Sequence, residues 1–224
     1  MDLLIFDIDG TLVDSNEIDR KCFENSVYHV LGDKFSIDSK VLELFEFETD
    51  TELAMKLFMH HKGRYPRTYE LNQVKNNLIQ CFESFTSANG NFIQIPGARQ
   101  LFRELKNSDD IALSIATGSW KISAEYKLDS TDIRWRYVPL ISADKFRNKF
   151  EIINEARIQS RVYYGTSNFK REIYFGDKDW DERAAKKLGM KFINVDKTLN
   201  SNSIKGLSSF PNMTELMELF AEYL

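Results

Sequence analysis

The chain has no excess of basic residues: 30 lysines and arginines stand against 34 acids, a net charge of −4. That balance gives no electrostatic ground for expecting nucleic acid or an anionic membrane as partner. No apolar stretch approaches the roughly 18 residues of a membrane span. Cysteine is scarce, and Cys22 and Cys81 stand apart, without a CxxC pair or metal-ligand spacing. They read as two reduced structural thiols of a cytoplasmic protein. The first residues already read as a strand, so no leader segment is expected there. Internal repeats and low-complexity tracts are absent as well. What remains is an ordinary composition, 42% hydrophobic over 224 residues, enough for one large domain or a core with a smaller insert.

Within that composition one segment stands out, Leu3-Leu4-Ile5-Phe6-Asp7-Ile8-Asp9-Gly10-Thr11-Leu12. Apolar runs of this kind build buried strands, and a buried carboxylate is costly unless paired or bound to metal. Strand side chains alternate faces, so Asp7 and Asp9 point one way and Ile8 the other. Gly10 lets the backbone turn sharply and come close to a ligand. Two convergent acids at the carboxyl end of a strand point to an active site.

After Leu12 the periodicity becomes helical, near 16–32, 37–47, 50–62 and 68–88, with breaks at Gly32-Asp33, Gly63 and Pro66. Leu53, Leu57 and Phe58, then Leu71, Val74, Leu78 and Phe82, recur at helical spacing and form a packing face. From Ile95-Pro96-Gly97 onward, strands and helices alternate. Helix 97–107 leads to strand 111–116, then helix 119–128, a strand at Tyr137–Ser142 and a helix over 147–160. Strand 172–175, helix 179–188, strand Met190–Val195 and a last helix over 213–223 follow, with Asn200–Ser203 a surface loop. Apolar strands alternating with helices predict an α/β fold, a doubly wound parallel sheet covered on both faces. Ligands of such sheets bind beyond the carboxyl ends of the strands.

The polar clusters lie at those ends. Thr117-Gly118-Ser119 offers a hydroxyl and free amides at a helix start, a setting that binds anions. Lys149 opens the helix after the third strand. Gly176-Asp177-Lys178-Asp179-Trp180-Asp181 supplies Asp177 at a turn and Asp181 four residues on. Together these are carboxylates for a hard cation, with hydroxyl, amide and ammonium donors for a phosphoryl group. Magnesium prefers such oxygen ligands, and phosphoryl transfer needs mainly positioning and charge neutralisation.

The order DxDGT, strand-Thr-Gly, Lys, GDxxxD resembles the haloacid dehalogenase superfamily, specifically its phosphatase branch of phosphoglycolate phosphatase and β-phosphoglucomutase type. The likeness runs over the whole chain, with 1–15 and 93–224 as the α/β catalytic core and 16–92 as an inserted helical cap. It implies Asp7 as a nucleophile that becomes an aspartyl-phosphate, and Asp9 as the acid that protonates the leaving group and then activates water. Thr117 and the Gly118 amide would hold the phosphate, and Lys149 would neutralise nucleophile and phosphate. It further implies Mg2+ on Asp7, the Asp9 carbonyl and Asp177, with Asp181 behind them or reaching the ion through water. Dehalogenases of the superfamily lack the second acid, so Asp9 speaks for phosphoryl transfer.

One departure concerns the lysine. Relatives often carry Lys-Pro there, whereas this chain reads Asp144-Lys145-Phe146-Arg147-Asn148-Lys149. Ile152 and Ile153 follow Lys149 at the family's spacing, and Lys145 and Arg147 are the alternatives. Each motif also has a plainer reading: turn acids for Asp7 and Asp9, a helix cap for Thr117, a solvated Lys149, a loop Asp177, and a favourable first-turn acid for Asp181. The aromatics Phe45, Phe47, Phe58, Tyr65 and Tyr69 suit core packing better than a substrate pocket. His60-His61 do not share a helical face and suggest no metal.

The expectation is therefore a Mg2+-dependent phosphatase of a small phosphorylated metabolite, cytoplasmic, monomeric or homodimeric, with no nucleic acid or membrane partner. A phosphomutase of the β-phosphoglucomutase type is the alternative within the family, and a receiver-like phospho-acceptor module the alternative outside it. The 16–92 segment carries twelve acids and nine bases, so no strong basic pocket for a multiply phosphorylated ligand is expected.

Overall fold

The computed structural model describes residues 1–32, 46–196 and 206–223. Strand β1 (Asp2–Phe6) is buried along its whole length, as its run of Leu3, Leu4 and Ile5 requires. It pairs in parallel with β4 (Ile111–Ala116) on one side and β6 (Glu172–Gly176) on the other. With β5 (Leu140–Ile141), β7 (Lys191–Val195) and β8 (Gly206–Leu207), they form a parallel sheet of order β5-β4-β1-β6-β7-β8. Helices α4 (Ala98–Lys106), α5 (Lys121–Ser130), α6 (Lys149–Tyr163), α7 (Asp179–Lys187) and α8 (Met213–Tyr223) connect and cover the strands. The α/β doubly wound architecture is thus as read from the strand and helix periods.

The register does the positioning. Phe6 lies level with Ile115 of β4 and with Phe175 of β6. Asp7, the Thr117 turn and Asp177 therefore leave three neighbouring strands within a residue or two of one line across the sheet. The Asp7 amide still bonds the Phe175 carbonyl at 2.9 Å, so the first acid belongs to the end of the ladder.

Helices α1 (Asn16–Leu31), α2 (Asp50–Lys62) and α3 (Thr68–Asn89) form a separate layer between two short strands. Those strands, β2 (Val13–Asp14) and β3 (Ile93–Gln94), pair antiparallel, so the chain leaves and re-enters the sheet domain side by side. Val74, Leu78 and Phe82 of α3 are fully buried, as their spacing predicted. The helix expected at 37–47, Phe45 and the loop at Asn200–Ser203 lie wholly or mainly outside the described residues; Glu46 and Phe47, which are described, are not helical.

Two expectations need correction. The strand expected over Tyr137–Ser142 shrinks to Leu140–Ile141. Tyr137 adopts a left-handed backbone, φ 66°, and Pro139 has no N–H to give a ladder, so only two residues remain to pair. More consequential, Cys22 and Cys81 are not separate thiols. They form a disulfide between α1 and α3, with Cα atoms 5.6 Å apart. Cysteine scarcity gave no hint of this, because the partners lie 59 residues apart and meet only when the two helices pack. The pairing removes the argument from reduced thiols for a cytoplasmic location. Among the described residues, no helix is long and apolar enough to cross a membrane.

Closing a loop of that length restricts the unfolded chain by about 4 kcal/mol. The Cys22→Ser variant should therefore melt roughly 10 °C lower than the oxidised protein in calorimetry. Reductant should lower the parent towards the same temperature and leave the variant unmoved.

Candidate active site

The acids at the β1 end are held by two buried lysines. Lys149 is the first residue of α6, whose start is set by Asn148: its side-chain oxygen accepts the Glu151 amide at 2.9 Å. From there the Lys149 ammonium reaches Asp7 Oδ2 at 2.8 Å and Asp181 Oδ1 at 3.1 Å, and donates to the Tyr174 hydroxyl at 3.1 Å. All three ammonium protons have acceptors, and the side chain is 3% exposed. Burial alone would depress its pKa, but Asp181 and Asp7 outweigh burial and hold it charged. Lys145 lines a different cavity, beside Pro139 and Tyr163. The Arg147 carbonyl accepts from Thr49 Oγ1.

Asp9 faces the other lysine, Lys127 of α5. Lys127 Nζ lies 2.5 Å from Asp9 Oδ1, 2.8 Å from Asp19 Oδ1 and 2.9 Å from Ser119 Oγ. Ser15 and Ser119 hydroxyls donate to Asp9 Oδ1 and Oδ2 at 2.6 and 2.7 Å. Burial pushes the Asp9 carboxyl up, yet the Lys127 charge and these hydrogen bonds hold it below its ordinary value. Neighbouring Asp19 is raised to about 6, because burial exceeds the pull of Lys127.

Asp7, Asp177 and Asp181 bring carboxylate oxygens within 4.8 Å of one another. Asp177 Oδ2 accepts from Asn16 Nδ2 at 2.8 Å and from the Lys178 ammonium. Asp181 is fully buried and spoken for: Oδ1 faces Lys149 and Tyr174, and Oδ2 the Lys178 amide at 3.3 Å. By contrast, Asp7 Oδ1 and Asp177 Oδ1 are buried without any hydrogen-bond partner. Two orphaned carboxylate oxygens on acids of this one cluster fit a hard cation that takes oxygen ligands. Asp7 and Asp177 are therefore the residues that could hold such a cation directly, with Asp181 already engaged by Lys149. Close quarters also explain two glycines: a Cβ on Gly10 would fall 2.1 Å from Asp177 Oδ2, and one on Gly176 2.7 Å from the Asp181 side chain.

Asp7, Asp9, Gly118, Ser119, Lys149 and Asp177 line one cavity of about 100 Å³. Thr117 does not join them at the cavity wall. It is fully buried, and its Oγ1 accepts the Ser119 amide at 3.1 Å, closing the turn. The helical layer supplies the opposite wall through Asn16, Asp19, Glu48 and Asp50. The start of α2 is tied to the core: the Asp50 amide bonds the Gly118 carbonyl at 2.9 Å, and Asp50 Oδ2 accepts the Trp120 amide at 2.8 Å. Thr51 Oγ1 reaches the Ala143 carbonyl at 2.7 Å, and Glu48 accepts the Lys149 amide at 2.8 Å.

Sequence reasoning missed Lys127, Ser15, Asn16, Asp19, Asp50 and Tyr174. Only Ser15 and Asn16 carried a local signal, as polar residues just past the DxDGT turn; the rest reach the site through tertiary packing.

The chain belongs to the family of haloacid dehalogenase-like hydrolases, which matches residues 4–195. No curated protein is close enough in sequence to match. Solved structures share the fold at low identity. CbbY from Rhodobacter sphaeroides in complex with phosphate superposes with a TM-score of 0.70 at 20% identity, over 96% of this chain and 98% of that one. β-Phosphoglucomutase from Clostridium difficile gives 0.69 at 17%, over 99% and 97%. A hydrolase from Pseudomonas syringae gives 0.67 at 15%, over 98% of each.

Burial, against the pull of Lys149, raises the Asp7 carboxyl to about 7, and burial raises Asp177 as well. Both raised values mean that the cation-free fold holds protons that the unfolded chain releases. Its stability should fall as pH rises from about 4 towards 7, and a cation must displace those protons to bind. Mg2+ should therefore raise the melting temperature at pH 7.5 by several degrees and much less at pH 5.5. An equal rise at both values would remove Asp7 from the ligand set.

Proposed function

We propose that this chain is a Mg2+-dependent phosphatase that hydrolyses a small phosphorylated metabolite through an aspartyl-phosphate on Asp7. The observation that carries the reading is the Asp7 carboxylate, with one oxygen held by Lys149 and the other buried and unpartnered beside Asp177. With Oδ1 left to the cation, the Oδ2 that Lys149 orients is the oxygen turned to attack phosphorus.

The residues divide the work as follows. Asp7 forms the bond to phosphorus while the leaving-group oxygen departs. Lys149 fixes the orientation of Asp7 and offsets the negative charge that gathers there. Gly118 offers its amide to the phosphoryl oxygens, and Thr117, buried behind the cavity wall, closes the turn that presents that amide. Asp9, ionised in the resting fold, takes up a proton as substrate enters and gives it to the departing oxygen, then takes one from the water that attacks phosphorus and breaks the bond to Asp7. Asp7, the Asp9 carbonyl and Asp177 would hold Mg2+, which supplies positive charge against the phosphoryl group and the carboxylates. Asp181 and Tyr174 hold Lys149 from below.

Residues 16–92 act as a cap on a core of 1–15 and 93–224. The ties between the start of α2 and the core are those of a closed lid, which excludes water and completes the site. A cavity of about 100 Å³ corresponds to roughly three waters, room for a phosphoryl group and little more. The leaving group would extend into an adjoining cavity of about 550 Å³ bounded by Phe23, Phe47, Leu53 and Trp180, with Asp19 and Asp50 at the junction. Glu17, Arg20, Glu24 and Lys178 line the same cavity, so it offers apolar faces together with charges of either sign. Membership of a hydrolase family and the helical layer, which receiver modules lack, both speak against a phospho-acceptor module.

A panel of phosphorylated metabolites, assayed with and without Mg2+, tests the reading. Phosphate release should need the ion. The Asp7→Asn variant should lose at least about 1000-fold in kcat with an unchanged circular dichroism spectrum. Full activity in that variant would sink the mechanism. Turnover only with a sugar bisphosphate present, without phosphate release, would favour a mutase.

A further inference from the structure

A phosphoryl group entering the cavity at Asp7 meets six carboxylates, those of Asp7, Asp9, Asp19, Glu48, Asp50 and Asp177. Among the described residues two cations line the same cavity, Lys149 and Lys178. Lys149 has nothing left to give, since Asp7, Asp181 and Tyr174 take its three protons. Lys127 does not line the cavity, and its protons are spent in the same way on Asp9, Asp19 and Ser119. Lys178 differs on both counts. Its side chain is 36% exposed, and its ammonium meets one acceptor, Asp177 Oδ2, which it shares with Asn16 Nδ2. An ammonium has three protons to donate, so two find no acceptor among the described residues. The backbone fixes where they are offered: Lys178 immediately precedes α7, and its amide donates to Asp181 Oδ2 at 3.3 Å. From that anchor the side chain lines the phosphoryl cavity and the adjoining one alike. Arg20, the other cation of the adjoining cavity, does not line the phosphoryl side, and Glu24 engages it at 2.9 Å.

We propose that Lys178 binds the transferred phosphoryl group, donating to its oxygens the protons that Lys149 cannot spare. The proposal rests on the phosphatase reading and deepens it by adding a phosphate ligand from outside the strand-end acids and their lysine. Lys149 then serves to orient Asp7, while Lys178 and the Gly118 amide meet the phosphoryl oxygens themselves. Four methylenes let the ammonium keep its contact with Asp177 or turn from it, and a compact charge with protons to spare suits phosphate. The phosphoryl group is the better partner than an anionic leaving group, because Asp19 and Asp50 stand where the two cavities join and would repel the latter.

Inorganic phosphate is the probe, titrated calorimetrically into wild type, Lys178→Met and Lys178→Arg, each saturated with Mg2+ as judged from its own melting curves. Lys178→Met should weaken phosphate binding about 10- to 100-fold, and Lys178→Arg should recover most of the loss. In Lys178→Met, kcat/KM for p-nitrophenyl phosphate and for β-glycerol phosphate should fall by similar factors, because both present the same phosphoryl group. Unchanged phosphate affinity in Lys178→Met would overturn the proposal. So would a loss confined to one of the two substrates, which puts the lysine on the leaving group. A loss that Lys178→Arg shares in full would overturn it too, because packing rather than charge would then be at stake. A wild type that binds no phosphate and hydrolyses no phosphomonoester would instead remove the phosphatase reading, and this proposal with it. The side chain is partly exposed, so Lys178→Met should fold; if it does not, Lys178→Gln carries the same comparison.

Discussion

Five carboxylates crowd the carboxyl edge of one parallel sheet, and two buried ammonium groups make that crowding tolerable. Lys149 holds Asp7 and Asp181; Lys127 holds Asp9 and Asp19. Asp177 is left to Asn16 and the more exposed Lys178. Each buried lysine has three acceptors for its three protons, the condition under which a buried charge is sustained. The compensation is incomplete in one spot, where Asp7 Oδ1 and Asp177 Oδ1 have no partner. A deficit on two acids of one cluster gives the proposed nucleophile and the proposed cation site their common location.

The rest of the fold serves this edge. Parallel pairing brings the ends of β4, β1 and β6 level, so three turns deliver their side chains to one place. Glycine at positions 10, 118 and 176 lets these turns approach where a Cβ would collide with Asp177, the Glu48 carbonyl or Asp181. The helical layer enters and leaves through the β2–β3 ribbon and returns Asp19, Glu48 and Asp50 to the same cavity. Its own cohesion comes from the packing of α1 on α3 and the disulfide between them.

Much of this was legible because the signals were local. An apolar strand interrupted by Asp7 and Asp9, or Gly176-Asp177 after Tyr174-Phe175, announces a carboxylate at a strand end through the cost of burying it. Strand and helix periods gave the sheet, failing at Tyr137–Ser142, where a left-handed residue and a proline act against the apolar pattern. Lys127 was illegible for the opposite reason: nothing within its own helix distinguishes a buried lysine from a solvated one, and its acceptors come from residues 9, 19 and 119. Tyr174 read as one more apolar strand residue, although its hydroxyl lies 3.2 Å from Asp181. The disulfide partners are joined only by the packing of two helices. Pairwise information across the chain is what a local pattern lacks.

The central claim is that phosphorus bonds to Asp7 during turnover. A single turnover of a 32P-labelled phosphomonoester with Mg2+, stopped by acid and reduced with borohydride, reads that bond directly. Label on the quenched protein, with Asp7 converted to homoserine and no label in Asp7→Asn, is the expected result. Release of labelled phosphate with no labelled protein at any quench time, or label on another residue, would contradict it.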